Sequence, residues 1–190
     1  MRFDKFTTKF QQAFADAQSL AVGGDNPYIE PQHLLLALID QQDGSTASLF
    51  ARAGVNVVGL RAALQGSIDR LPRVEGTGGE VNVSRELTNL LNLTDKEAQK
   101  RGDQFVASEL FLLAALNDKG DTGKLLKQHG ANRAALEAAI NAVRGGEGVQ
   151  TAEDEGQRES LKDINSALIP YGKKNLKLHS FTKIRLIRKK

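Results

Sequence analysis

Along the first 145 residues apolar side chains return every three or four positions, the period of a helix with one buried face, and no convincing alternating strand lies before residue 160. The pattern predicts eight helical segments. The first runs from about Thr7 to Val22, with Thr7 as N-cap and Phe6, Phe10, Phe14, Ala17 and Ala21 on one stripe, until "GGDNP" breaks it. The second begins at Pro31, a residue suited to a first helical position because its missing N–H would be unpaired there anyway. A third, near Thr46 to Ala53, stops at Gly54, and a fourth, capped by Asn56, carries Leu60, Leu64 and Ile68 toward Leu71. After the Pro- and Gly-rich "PRVEGTGGEV" the series restarts. Ser84 caps a helix reaching Arg101, Ser108 caps the next, Leu125 and Leu126 precede Gly130, and Asn132 opens a helix to about Val143.

The second series copies the first. At an offset of 77, Phe6, Thr7, Phe10, Phe14, Ala17 and Ala21 fall on Val83, Ser84, Leu87, Leu91, Thr94 and Ala98. After one deletion, Gly54, Asn56, Leu60 and Leu64 fall on Gly130, Asn132, Leu136 and Ile140. Any two amphipathic helices share a period, but matched caps and glycine stops across four helices are hard to obtain by accident. The expected fold is all-α: two tandem, pseudo-symmetric four-helix repeats, about 1–72 and 80–145, then a linker over 146–160 and a tail over 161–190.

Charge is divided along the chain. Residues 161–190 hold nine Lys or Arg and one acid, a net of +8, whereas the preceding 160 residues hold 17 basic and 22 acidic groups, a net of −5. The overall +3 is therefore a property of the tail, and nucleic-acid binding is expected through that tail or not at all. With no cysteine there is no disulfide framework or Cys-based zinc site. The polar start and the absence of a ~20-residue apolar run argue against export and membrane spanning, so a cytoplasmic location is expected.

"MRFDKFTTKFQQAFADAQSLA", "YIEPQHLLLALI", "RLPRVEG", "LTDKEAQKRGDQF" and "SELFLLAAL" closely resemble the amino-terminal domain of the ClpB family of bacterial AAA+ protein disaggregases, over residues 1 to about 162. The resemblance implies a domain of two Clp repeats that engages unfolded or aggregated polypeptides and passes them to a hexameric ATP-driven pore, with "RGGEGVQTAEDEGQ" as the mobile linker to the ATPase rings. ATP and Mg belong to the full-length family; this chain is expected to use no cofactor, to be no enzyme, and to be a monomer. After about Lys162 nothing looks like the family. A truncated or shifted reading frame is the expectation there, with a genuine basic extension as the alternative.

Candidate chemistry is sparse. "KGDTGKL" has a Gly-Lys pair, but the phosphate-loop pattern asks for Gly where Asp118 stands and Ser or Thr where Leu125 stands. The histidines, His33, His129 and His179, show no ligand spacing, and no GxSxG elbow supports a nucleophile. The stronger signal is asymmetry between the repeats. With Leu87, Leu91, Thr94 and Ala98 as the core stripe, Leu93 points about 160° away, where the first repeat carries Asp16. Leu90 stands opposite Ala13, and Leu110 opposite His33. Leu93 either seals the junction between repeats, is a scattered surface leucine that needs no explanation, or, with Leu90, Leu91 and Leu110, lines an apolar client-binding groove. Periodicity does not decide which way Leu110 faces. The resemblance adds Thr7, Asp103 and Glu109 as polar client-handling residues, each with a local role too: an N-cap, a loop turn, and a favourable charge in a helix's first turn.

Overall fold

The computed structural model describes residues 3–74, 80–158 and 160. The chain divides into two units, Met1–Glu159 and Ser160–Lys190, and apart from Ser160 the described residues belong to the first. The basic tail and most of "GTGGE" lie outside them.

A 3₁₀ turn at Phe3–Lys5 leads into α1 (Thr8–Gly23), β1 (Tyr28–Ile29), α2 (Pro31–Asp40), α3 (Thr46–Arg52), α4 (Val57–Ile68), β2 (Asn82–Val83), α5 (Arg85–Arg101), α6 (Ser108–Leu116), α7 (Asp121–Gln128) and α8 (Arg133–Arg144). The expected caps form. Thr7 Oγ1 accepts from Phe10 N at 3.3 Å, Ser84 Oγ from Leu87 N at 3.1 Å, Asn56 Oδ1 from Gly59 N at 3.0 Å and Asn132 Oδ1 from Ala135 N at 2.9 Å, each satisfying an N–H that the helix cannot satisfy internally. Gly54 and Gly130, the paired stops, both adopt left-handed φ, +80° and +93°, which an L side chain tolerates poorly. One cap departs from expectation: Ala107 is the N-cap of α6 and Ser108 its first residue.

At the centre α2 meets α6. Every residue of α6, and every residue of α2 up to Ile39, is buried, which explains why both segments read as apolar all round. α1 packs on α2 as α5 does on α6, and the repeats clasp crosswise, α3 on α8 and α4 on α7. Phe10 of the first repeat reaches Phe111 of the second, with ring centroids 6.0 Å apart.

The lead-in of each repeat also pairs with the other repeat. Ile29 pairs in parallel with Val83, and Phe6 with Val106. At the offset of 77 these are one contact written twice, and its hydrogen bonds, Ser84 N to Ile29 O and Thr7 N to Val106 O, are both 3.1 Å long. Such short ladders leave no alternating pattern for sequence reading to find. The Gly123 of "KGDTGKL" sits within α7, where a Cβ would lie 2.0 Å from the Asp118 carbonyl oxygen; the glycine serves close packing. Among the described residues no three His, Cys, Asp or Glu side chains gather to hold a metal, and no described helix is long and apolar enough to cross a membrane.

Candidate functional site

The four leucines separate. Leu93 is 43% exposed on the outer face of α5, as its angle predicts. Leu90, Leu91 and Leu110 are buried, with exposures of 3%, 0% and 0%, and belong to the core. This corrects the expectation of a surface groove lined by all four. Leu90 and Leu91 lie on the inner face of α5, while α6, enclosed on every side, offers Leu110 no solvent to face. Leu91 still borders a cleft of about 330 Å³ together with Lys5, Phe6, Asn92 and Asp103. Leu93 stands nearly opposite Leu91 around α5, outside that cleft.

The polar candidates converge beneath the segment that follows α8. Residues 146–158, which the sequence reading assigns to the linker, fall within the compact first unit; Val149 and Glu155 are fully or almost fully buried, and residues 154–158 are helical. Val149 O accepts from Gln104 N at 2.8 Å and Phe105 N at 3.3 Å, and Ala152 O accepts from Thr8 N at 2.9 Å. Glu155 then inserts between the repeats. Its Oε2 accepts from Thr7 Oγ1 at 2.5 Å and from Ser108 N at 3.2 Å, and its Oε1 from Ser108 Oγ. A carboxylate at the start of α6 meets unpaired N–H groups and the positive end of the helix. Burial and then the nearby Glu109 charge nevertheless push Glu155 up to about 7, against the lowering effect of the Ser108 and Thr7 bonds.

Asp103 and Glu109 share one cation. Arg144 of α8 donates from Nη1 to Asp103 Oδ2 at 2.7 Å and from Nε to Glu109 Oε1 at 2.9 Å, with all three side chains buried. Burial works against this guanidinium, yet the two carboxylates outweigh it and raise its pKa. Asp103 Oδ1 also accepts from Val149 N at 3.0 Å, and Arg158 Nη2 lies 3.6 Å from Glu109 Oε1. Thr7 of the first repeat and Asp103 and Glu109 of the second thus line one seam, roofed by the chain's own next segment.

Sequence reasoning overlooked Arg144 and Glu155. Arg144 carried a usable signal, since at the post-deletion offset it stands at the register of Ile68, an apolar core position of the first repeat. Glu155 carried none, because its partner Thr7 is 148 residues away.

Fold and seam define a domain of two interlocked helical repeats. Residues 5–129 match the Clp repeat (R) N-terminal domain, and the chain belongs to that family. It is 49% identical over 161 residues to the chaperone protein ClpB of Pseudomonas putida, a match covering 85% of this chain and 19% of that protein. It is 34% identical over 163 residues to ClpB of Corynebacterium efficiens, with the same two coverages. The chain therefore spans about a fifth of the length of these curated relatives. Among solved structures, the Hsp104 N-terminal domain of Candida albicans superposes with a TM-score of 0.69 at 22% identity, covering 78% of this chain and 97% of that one. A ClpV N-domain in complex with a VipB peptide gives 0.58 at 21%, covering 78% and 91%.

Proposed function

We propose that the chain is the client-binding amino-terminal domain of a ClpB-type disaggregase, a non-enzymatic module of the cytoplasm that captures unfolded or aggregated polypeptides for ATPase rings supplied by a ClpB hexamer. The observation that carries this reading is the alignment of 161 residues, 85% of the chain, with ClpB of Pseudomonas putida at 49% identity. Exposed Leu93, and a seam rich in groups that bond to polypeptide backbone, support it. One exposed leucine and a set of backbone-directed hydrogen bonds give micromolar or weaker affinity once ordering costs are subtracted, the regime in which a captured client can still be released to a pore.

A second reading, docking of an adaptor or folded partner, is favoured by the complex of a ClpV N-domain with a VipB peptide. Titrating the chain with several permanently unfolded proteins of unrelated sequence separates the two. Weak binding to all of them supports client capture. Binding to none, beside one tight stoichiometric partner, contradicts it.

A further inference from the structure

The roof over the seam satisfies six donors of the body. Four are backbone N–H groups, of Thr8, Gln104, Phe105 and Ser108, and two are the hydroxyls of Thr7 and Ser108. Each points at a carbonyl or carboxylate oxygen. A row of donors with no demand on side-chain identity is what an extended polypeptide of almost any sequence can satisfy through its own carbonyls, as in strand addition at an open sheet edge.

The seam beneath the roof is also imperfectly bonded. Glu109 Oε2, Arg144 Nη2 and both terminal nitrogens of Arg158 are buried without a hydrogen-bond partner, and such groups weaken a contact that would otherwise be strong. Burial pushing Glu155 up to about 7 acts in the same direction near neutrality. The roof meets the body through these hydrogen bonds, the Arg158–Glu109 ion pair and the buried side chain of Val149, whereas the body beneath it is a continuous core. Segments so attached open at lower free energy than the core they cover. The first repeat lacks the device: Pro31, which has no N–H, stands where Ser108 does.

We propose that residues 149–155 form a displaceable strap, which opens independently of the helical body and, when open, leaves the seam donors at Thr7, Thr8, Gln104 and Ser108 to the backbone carbonyls of an extended client polypeptide. The identity of the competitor rests on the client-binding reading above; the independent opening does not.

Two variants of the full chain test it. Glu155→Ala removes the carboxylate, and hydrogen exchange is expected to rise tenfold or more at the Thr8, Gln104 and Phe105 amides with no change at core amides such as Leu112. The second variant joins Thr8→Cys with Ala152→Cys. The chain has no cysteine of its own, and the 2.9 Å bond from Thr8 N to Ala152 O holds the two backbones near the spacing a disulfide spans. With reduced, carboxymethylated α-lactalbumin as the unfolded probe, the oxidised form is expected to bind at least threefold more weakly than the reduced form. Equal binding by the two forms overturns the competition, and exchange that rises equally in strap and core overturns independent opening. If no form binds the probe, the client-binding reading and the named competitor fall together, while the exchange data alone decide whether the strap opens.

Discussion

The two repeats share a backbone and differ in one corner. In the first, Asn26, Gln32 and Ile68 occupy the positions that Asp103, Glu109 and Arg144 hold in the second. His33 there accepts from Glu30 N at 2.9 Å through Nδ1, so its Nε2–H donates to Asn26 Oδ1 at 3.0 Å, and Asn26 Nδ2 donates to Pro72 O at 3.0 Å. Both corners hold the chain that follows the fourth helix of their repeat. One does so with neutral amides and a neutral histidine, the other with a buried cation between two carboxylates. Helix caps and apolar stripes are common to both, so the repeats keep one backbone while their polar corners differ. In the second repeat that corner adjoins Glu155 and the start of α6.

The largest expected effect comes from breaking the charged corner. Arg144→Met leaves two buried carboxylates without their cation and should cost about 3–5 kcal/mol in urea unfolding. Installing the first repeat's set, Asp103→Asn, Glu109→Gln and Arg144→Ile together, should recover most of that loss, because the charges vanish as a group. A triple variant as unstable as the single one would mean that the first repeat is no guide to the second.

Next is the neutral corner. Burial holds His33 at about 4 rather than the ordinary 6.5, so the unfolded chain takes up a proton first as pH falls. The stability this provides is complete above 6.5 and is lost progressively toward pH 4, a change of up to about 3 kcal/mol. His33→Leu, the residue of the second repeat, should remove that part of the pH dependence. An unchanged slope in unfolding midpoint between pH 7 and 4.5 would contradict it.

Glu155 has the opposite sign. Its folded value of about 7 lies above the ordinary 4.5, so its contribution to docking is fully present below 4.5 and is lost as pH rises through 7. Glu109 of α6 faces it, with Arg144 and Arg158 both set against Glu109. Between pH 5.5 and 7.5, exchange at Thr8 and Gln104, corrected for intrinsic rate, should rise about tenfold, and Glu155→Gln should abolish the rise. The smallest effect on stability belongs to Leu93→Asp, which installs the residue of the first repeat. Its unfolding free energy should stay within about 0.5 kcal/mol while client binding weakens severalfold. An equal loss of stability would show that Leu93 packs.

Periodicity and capping made the helices and the duplication legible, because Thr7, Ser84, Asn56 and Asn132 act on N–H groups three residues away. The angular position of Leu93 was legible for the same reason. What failed depended on contacts distant in sequence. Leu110 was ambiguous because a helix enclosed on all sides has no polar face to orient it, and the cap of α6 was misplaced because the carboxylate that meets Ser108 arrives from residue 155. The paired ladders at Ile29 and Phe6 are too short to leave a period. Residues 149–155 looked like linker because one valine and one glutamate make their buried contacts.

The most direct test is a backbone amide NMR titration of the labelled full chain with an unfolded protein. Shifts are expected to concentrate around Leu93 and along the seam from Gln104 to Glu109, with Asp16 and the segment from Asn26 to Gln32 undisturbed. Shifts centred on the first repeat, or shared evenly between equivalent positions, would contradict it.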